Sequence, residues 1–316
     1  MGTKARVGLT AATALGSVLM GAWLASGRLI RRRMPDPAVD PGVYGLDADP
    51  VRFPSRDGLL LGGVWIPARR RRGTVLLLPG QGGSLDPDLR HAPALVQHGY
   101  DVLIFDWRAH GRSQGRYVTW GCAERMDLLG ALDFLRQREI TRVGVLGFSM
   151  GAAVAFHAAL EGEGIAAIIS DGCYTDLNAA ARGWLATRGL DCRASELFVR
   201  LVVKMASWRV GCDLTAAAPL RWVRQIAPRP LLFIQGDQDP FVSPQEFERL
   251  WQAAPEPKER WLVPGAGHRE ADKLYPAAYR QHVLDFFDRH LASSSGRRTT
   301  RPRPASGGPG GSSSPA

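Results

Sequence analysis

The chain has 316 residues, 45% of them hydrophobic, and a formal net charge of +10. This length suits one large domain or two smaller ones. The excess charge is confined to the two ends, because residues 1–35 and 297–303 hold ten of the 40 basic residues and no acidic residue. The 30 basic residues that remain equal the 30 acidic residues, so the body of the chain is neutral. This distribution argues against a nucleic-acid-binding domain.

The N-terminal stretch 1–35 is predicted to hold a membrane anchor. Residues 7–27 (VGLTAATALGSVLMGAWLASG) carry no charge over 21 positions, which is long enough for a helix to span a bilayer. A cleaved signal peptide is the alternative, since Lys4 and Arg6 form a short basic start. Its best cleavage site, at residues 25–27, is followed by arginines and is poor. Four basic residues follow the span and two precede it, which favours a single-pass protein whose body lies on the cytoplasmic face.

A proline-rich linker is predicted at residues 36–50, followed by a domain at 51–291 in which strands alternate with helices. The predicted strands are Val51–Phe53, Leu59–Ile66, Thr74–Leu78, Asp101–Phe105, Arg142–Leu146, Ala166–Ser170, Leu231–Gln235 and Arg260–Val263. The predicted helices are Pro87–His98, Glu124–Arg138, Met150–Leu160, Pro244–Ala253 and Pro276–His290. Apolar strands in this alternation predict an α/β fold with a mostly parallel, doubly wound sheet. Functional groups are then expected at the carboxyl ends of the strands.

One connection, residues 171–230, is much longer than the others and forms an insertion. Its apolar side chains at helical spacing are Leu197, Phe198, Leu201, Val202, Met205 and Trp208. This stripe predicts either a small lid whose apolar side shelters a hydrophobic substrate or a connecting helix packed on the sheet.

The C-terminal stretch 292–316 is rich in Ser, Gly, Pro and Arg and is predicted to be disordered. Cys122, Cys173, Cys192 and Cys212 show no C-x-x-C spacing, so neither a metal site nor a cofactor is predicted. A Cys192–Cys212 bridge and free thiols are both compatible with the sequence.

The pentapeptide GFSMG, residues 147–151, has the form G-x-S-x-G and lies between a predicted strand and a predicted helix. Strand, tight turn and helix are the context of a nucleophile elbow, in which the turn exposes a reactive serine above the sheet. The two glycines allow the strand and the helix to approach closely. Ser149 is therefore the candidate nucleophile.

A nucleophilic serine requires a base and an orienting acid, each in a loop that follows a strand. Of the seven histidines, His268 directly follows the last predicted strand, in the flexible sequence GAGH. The loop after the preceding strand offers Asp237 and Asp239, and spacing alone does not choose between them.

The oxyanion that forms during attack also requires donors. The backbone amide of Met150, directly after the serine, is one candidate, and that of Gln81 in the glycine-rich loop PGQGGS (residues 79–84) is the other. A phosphate-binding loop is excluded here because neither G-K-[ST] nor G-x-G-x-x-G is present.

The motifs GFSMG, DWRAHGRS, GDQDPFV and GAGH occur in an order that resembles the α/β-hydrolase fold family. The chain is most similar to the serine-hydrolase branch that includes Bem46-like and ABHD-type membrane-anchored hydrolases. In that branch the acid usually occupies G-x-x-D-x-x-V, which selects Asp239. The resemblance also implies that Asp106–Ser113 shapes the loop beneath the site, with His110 structural. The chain departs from the family where Pro79-Gly80 and Gln235-Gly236 replace the frequent His-Gly.

These features predict a serine hydrolase that cleaves ester or thioester bonds of lipid-like or hydrophobic acyl substrates through an acyl-enzyme. The predicted partners are a small-molecule or lipid ester and a membrane, without nucleic acid. An acyltransferase or an amidase or peptidase using the same triad is the alternative. A non-catalytic, membrane-tethered scaffold is a further alternative, which is expected to lack a triad member.

Overall fold

The computed structural model describes residues 3–162, 164–190 and 193–291. The predicted disordered tail at 292–316 and Cys192 lie outside the described residues. Cys122, Cys173 and Cys212 are free thiols.

Eight strands form a single sheet. They are β1 (Asp49–Pro54), β2 (Leu60–Ile66), β3 (Gly73–Leu78), β4 (Tyr100–Phe105), β5 (Val143–Phe148), β6 (Ile165–Asp171), β7 (Leu231–Gly236) and β8 (Lys258–Val263). Their order across the sheet is β1-β2-β4-β3-β5-β6-β7-β8. The pairs β1–β2 and β2–β4 are antiparallel, and the five pairs from β4–β3 to β7–β8 are parallel. The predicted α/β fold with a mostly parallel, doubly wound sheet is therefore confirmed.

Ten α-helices occur among the described residues. They are α1 (Thr3–Ile30), α2 (Ala92–Gln97), α3 (Glu124–Arg136), α4 (Met150–Ala159), α5 (Leu177–Ala186), α6 (Arg193–Val210), α7 (Pro219–Trp222), α8 (Pro244–Ala253), α9 (Ala271–Leu274) and α10 (Pro276–His290). Short 3-10 turns occupy Pro41–Tyr44, Asp86–His91, Leu214–Ala216 and Val223–Gln225.

Apolar side chains cover both faces of the sheet. Along β3, Val75 and Leu77 belong to one apolar cluster, and Leu76 and Leu78 belong to the other. This alternation follows from the two-residue period of a strand. Helices α3, α4 and α8 contribute to one cluster, and α2 and α10 contribute to the other. Strands β4 and β5 are buried along their whole length, as expected for strands with helices on both faces.

The helix predicted at Pro87–His98 differs from the structure. Its first part, Asp86–His91, is a 3-10 turn, and the α-helix begins at Ala92. Pro93 lacks an N–H group, so an α-helical hydrogen-bond ladder cannot run through this position without a break.

Helix α1 is long and apolar enough to cross a membrane over Ala12–Ile30, where the mean hydropathy is 1.2. Its C-terminal turns nevertheless belong to the folded domain, since Ala22, Ser26 and Ile30 are fully buried. The Arg209 guanidinium of α6 lies 4.3 Å from the centre of the Trp23 ring and donates to the Trp23 carbonyl oxygen at 2.9 Å.

The insertion predicted at 171–230 contains α5, α6 and α7. Helix α6 packs against α1 and α5. Its buried Val199 and Val203 join Ile30 and Leu177 in a third apolar cluster, separate from the two that cover the sheet. The buried face of α6 is thus offset from the predicted apolar stripe, whose ends at Leu197 and Trp208 are 67% and 77% exposed. The expectation of a helix packed on the sheet is not met, and a lid stays a prediction.

Candidate active site

Ser149 lies in a sharp turn between β5 and α4. Its backbone φ of 51° and ψ of −109° are a conformation that residues other than glycine rarely adopt. A Cβ atom at Gly147 would lie 2.6 Å from the Ala152 nitrogen, and one at Gly151 would collide with the Leu78 carbonyl oxygen. Strand and helix therefore meet closely enough to lift the serine hydroxyl above the carboxyl end of the sheet.

The hydroxyl of Ser149 points at His268. The distance from Ser149 Oγ to His268 Nε2 is 3.1 Å, and His268 Nδ1 lies 2.7 Å from Asp239 Oδ2. When Nδ1 carries the proton and donates it to the Asp239 carboxylate, Nε2 is the acceptor that faces the hydroxyl. The structure thus brings the three side chains together in one hydrogen-bonded line.

The two aspartates of the loop after β7 have different environments. The side chain of Asp239 is fully buried, and its Oδ1 accepts hydrogen bonds from the amides of Phe241 and Val242 at 2.8 and 3.1 Å. Asp237 instead accepts from the Gly265 amide at 2.8 Å and is exposed. Asp239 is the carboxylate that faces the imidazole, whereas Asp237 joins two loops.

The glycine-rich loop at 79–84 follows β3, which pairs with β5 so that Leu78 lies opposite Gly147. Gln81 and Met150 therefore belong to turns at the same end of neighbouring strands. Met150 opens helix α4, and amides of the first helical turn have no acceptor within their own helix. Such an amide can donate to an oxyanion formed next to the serine.

Comparisons with known proteins agree with this architecture. A family profile described as the alpha/beta hydrolase fold matches residues 73–189. The esterase Pf2001 of Pyrococcus furiosus, in one of its crystal forms, superposes with a TM-score of 0.66 at 28% identity, over 83% of this chain and all of the esterase. This chain has the α/β-hydrolase fold.

Relatives of this α/β-hydrolase-fold chain include uncharacterised bacterial proteins. YfhR of Escherichia coli K12 is 26% identical over 261 residues, which cover 78% of this chain and 84% of YfhR. Rv2307c of Mycobacterium tuberculosis is 29% identical over 276 residues, which cover 85% of this chain and 89% of the relative.

The loop Asp106–Ser113 lies beneath the site as a structural element. Asp106 Oδ1 accepts from the Leu85 amide at 2.6 Å, and Arg108 pairs at 2.7 Å with both Asp57 and Asp127. Burial lowers the pKa of His110, which is 2% exposed. His110 Nδ1 lies 2.8 Å from the Arg108 carbonyl oxygen. The neutral His110 ring thus makes a hydrogen bond within the loop Asp106–Ser113 and stabilises its conformation.

Gln235 was not among the predicted site residues. Its Nε2 donates to Asp239 Oδ2 at 3.0 Å and to the Gly236 carbonyl oxygen at 3.2 Å. The signal in the sequence was its position at the end of β7, where the family often has histidine. Gln235 therefore shares with His268 the task of fixing one carboxylate oxygen.

Arg269 is the second site residue that sequence reasoning missed. It has a φ of 57°, and its guanidinium lies 4.5 Å from the centre of the Phe148 ring and pairs with Asp88. A Cβ atom at Gly80 would lie 2.7 Å from Arg269 Nη1, so the histidine loop touches the glycine-rich loop directly. The Asp88 and Asp171 carboxylates offset the effect of burial and raise the pKa of Arg269, which stays charged.

Proposed function

We propose that this chain is a serine hydrolase that cleaves ester or thioester bonds through an acyl-enzyme intermediate. The observation that carries the proposal is the continuous line Ser149–His268–Asp239, with its distances of 3.1 and 2.7 Å, at the carboxyl end of the sheet. The likeness to the Pyrococcus furiosus esterase supports the same reaction class.

In the first half of the reaction, His268 Nε2 accepts the hydroxyl proton while Ser149 Oγ bonds to the carbonyl carbon. The carbonyl π electrons move to the oxygen, and the amides of Gln81 and Met150 stabilise the resulting oxyanion. Asp239 stabilises the imidazolium and keeps its orientation. When the tetrahedral intermediate collapses, the bond to the alcohol or thiol breaks, and the leaving group takes the proton from Nε2.

In the second half, water replaces the leaving group. His268 Nε2 accepts a proton from water as its oxygen attacks the acyl carbon, and the same two amides hold the new oxyanion. Collapse breaks the bond to Ser149 Oγ, which regains a proton from the imidazolium, and the carboxylic acid departs. None of these steps calls for a cofactor.

The proposed substrate class is supported by apolar side chains that the insertion exposes. Leu197 and Trp208 of α6 and Trp184 of α5 are 67%, 77% and 45% exposed. Large apolar side chains left exposed on one insertion support binding of apolar material there, if they act together as one surface. We therefore assign the enzyme to hydrophobic, lipid-like acyl esters.

A membrane tether through α1 is part of the same proposal, in agreement with the resemblance to Bem46-like hydrolases. Leu15, Met20 and Leu24 are 61%, 59% and 66% exposed on a helix that meets the length and hydropathy of a membrane span. Of the four arginines that follow the span, Arg32 and Arg33 donate to backbone carbonyl groups of the folded chain. These two arginines therefore have a structural role. The other two arginines equal in number the two basic residues before the span, so the charge count favours neither face of the membrane.

A series of p-nitrophenyl esters with acyl chains of two to sixteen carbons tests the activity and the substrate class together. We expect kcat/KM of the full-length protein to rise with chain length and to vanish in Ser149→Ala. Activity that is independent of Ser149 contradicts the hydrolase, whereas activity confined to short chains contradicts only the lipid-like substrate. Adding a long-chain alcohol shows whether the acyl group passes to water or to an acceptor. Protease protection in sealed vesicles reports the side of the membrane.

A further inference from the structure

The segment that connects α1 to the domain, residues 31–39, lies against the glycine-rich loop of the active site. The Arg33 amide donates to the Ala109 carbonyl oxygen at 2.9 Å, and the Val39 amide donates to Asp86 Oδ1 at 2.8 Å. These bonds join the segment to the loop Asp106–Ser113 and to the turn that follows the glycine-rich loop. Four of its nine residues fall in the predicted linker at 36–50, yet the segment makes specific contacts.

Asp36 is the centre of these contacts. Its Oδ2 accepts from the amides of Gly83 and Ser84 at 3.0 and 2.9 Å, and its own amide donates to Ser84 Oγ at 3.1 Å. A Cβ atom at Gly83 would collide with the Met34 carbonyl oxygen and lie 2.9 Å from the Asp36 nitrogen. The segment thus packs against the loop backbone with no room for a side chain between them.

Arg33 contacts the loop at a second point. In the amide orientation that satisfies both groups, Gln81 accepts hydrogen bonds from Nε and Nη2 of Arg33. The same guanidinium donates to the carbonyl oxygens of Arg28 and Leu29 in the last turn of α1, at 3.3 and 3.0 Å. One side chain therefore joins the end of the membrane-span candidate to the proposed oxyanion residue.

The loop requires such support from outside itself. Gly80, Gly82 and Gly83 leave its backbone with high conformational freedom, and it contains no regular secondary structure. An oxyanion donor acts only when its N–H is already aimed at the position of the charge, and a displacement of about 1 Å costs on the order of 100-fold in rate. A contact that removes this freedom therefore supports the reaction without touching the substrate.

We propose that Arg33 and Asp36 are positioning residues that hold the Gln81 amide in the geometry of an oxyanion donor. Through them the segment that leaves α1 is part of the catalytic apparatus, and the end of the tether helix is joined to the active site. This inference rests on the proposed serine hydrolase, in which Gln81 donates to the oxyanion.

Asp36→Ala in the full-length protein tests the proposal, with Asp40→Ala as the matched control. Asp40 lies on the same connection, and its Oδ1 accepts from the Gly42 amide at 2.9 Å within that connection. We expect Asp36→Ala to lower kcat by about 10- to 100-fold with an unchanged KM, because the lost interaction acts in the transition state. Asp36→Asn, which keeps one acceptor oxygen, is expected to recover part of the rate. Asp40→Ala is expected to keep the wild-type kcat.

Two further readouts separate positioning from a loss of stability. A boronic acid that forms a tetrahedral adduct with the serine should bind Asp36→Ala more weakly, by the same factor as the loss in kcat. Hydrogen exchange of the amides at 80–84 should accelerate in Asp36→Ala and not in Asp40→Ala. Arg33→Gln provides an independent variant, with faster exchange at the same loop, should Asp36→Ala not fold.

The exchange measurement requires no substrate, so it distinguishes failure of this inference from failure of the proposed function. Wild-type exchange at 80–84 in both Asp36→Ala and Arg33→Gln overturns the positioning role even if the wild-type enzyme is active. If exchange at 80–84 is faster in Asp36→Ala but the wild-type protein has no esterase activity, the proposed hydrolase is overturned. The contact then supports the loop without a role in catalysis. Equal kcat in Asp36→Ala and Asp40→Ala also overturns the positioning role.

Discussion

Gln235 and His268 both contact the same oxygen of Asp239, at 3.0 and 2.7 Å from Oδ2. The carboxylate is thus held from two directions, and the amide nitrogen of Gln235 limits the positions from which Oδ2 can face the imidazole. In the proposed reaction Gln235, at the end of β7, therefore helps to orient His268 through Asp239.

Replacing Gln235 by leucine removes one charge-assisted hydrogen bond to the carboxylate, of a kind that contributes about 1.5–3 kcal/mol to stability. Because His268 and the amides of Phe241 and Val242 still hold Asp239, we expect kcat to fall only about 3- to 10-fold. Gln238→Leu, on the exposed part of the same loop, is expected to leave kcat unchanged. Steady-state kinetics on a short ester measures both. Equal rates in the two variants contradict a role for Gln235.

The two aspartates of the loop after β7 give a paired test of which carboxylate orients His268. Asp239→Asn is expected to lower kcat by about 10⁴-fold, because an amide at this position favours the wrong imidazole tautomer. Asp237→Asn keeps an acceptor for the Gly265 amide and should change kcat by less than about threefold. A larger loss in Asp237→Asn than in Asp239→Asn excludes the proposed triad.

The close approach at the elbow predicts a large effect of a single methyl group. In Gly151→Ala the new Cβ atom meets the Leu78 carbonyl oxygen, so we expect the free energy of unfolding to fall by about 3 kcal/mol and kcat to collapse. Gly16→Ala, in α1, has open space around the added Cβ atom and should lower neither quantity, since alanine favours a helix over glycine by about 0.5–1 kcal/mol. Chemical denaturation together with kinetics checks the pair. A stable, active Gly151→Ala enzyme is inconsistent with the described turn.

Asp171, whose carbonyl oxygen accepts from the Ser149 amide, predicts a pH dependence of stability. Burial raises the pKa of its carboxyl from 3.8 to about 6, against the opposing effects of Arg269 and Tyr279. As the pH rises, the unfolded carboxyl ionises first, so the free energy of unfolding falls between about pH 4 and pH 6 and is level above that. Asp171→Asn removes this titration. The free energy of unfolding of the wild type minus that of the variant is expected to fall by about 2 kcal/mol between pH 4 and pH 7.

Asp133 supplies the control with the opposite sign. Its hydrogen bond from Arg56 is the main cause that lowers the pKa of this half-exposed carboxyl. The same difference, measured for Asp133→Asn by urea unfolding, should therefore rise with pH over the acidic range. If the free energy of unfolding of the wild type minus that of Asp171→Asn does not change with pH, the buried Asp171 carboxyl does not have a raised pKa.

The sheet and the Ser149–His268–Asp239 line were predictable because their signals are local. The inner strands are short apolar runs, GFSMG spans the end of one strand, and GAGH lies in the loop after another. Parallel strands bring their carboxyl ends to one edge, so residues far apart in sequence meet there without further information. The choice between Asp237 and Asp239 came only from the family pattern, because both follow the same strand.

The contacts of Arg33, Asp36 and Arg269 were not predictable in this way. Arg33 and Asp36 lie in a segment without periodicity, and their partners Gln81 and Gly83 are more than 45 residues away. The direction of Arg269 depends on its own positive φ, which no pattern of apolar residues encodes. The packing of α6 on α1 was likewise not predicted, because the apolar residues of either helix do not identify the partner helix.

Labelling with a fluorophosphonate probe tests the central claim most directly. Folded wild-type protein is expected to gain one adduct, mapped by mass spectrometry to Ser149, and Ser149→Ala to gain none while keeping the wild-type unfolding transition. Ser243→Ala, which removes the N-cap hydroxyl of α8, serves as the serine control and should label like the wild type. An unlabelled wild-type protein, or equal labelling of Ser149→Ala, would contradict the assignment of Ser149 as the nucleophile.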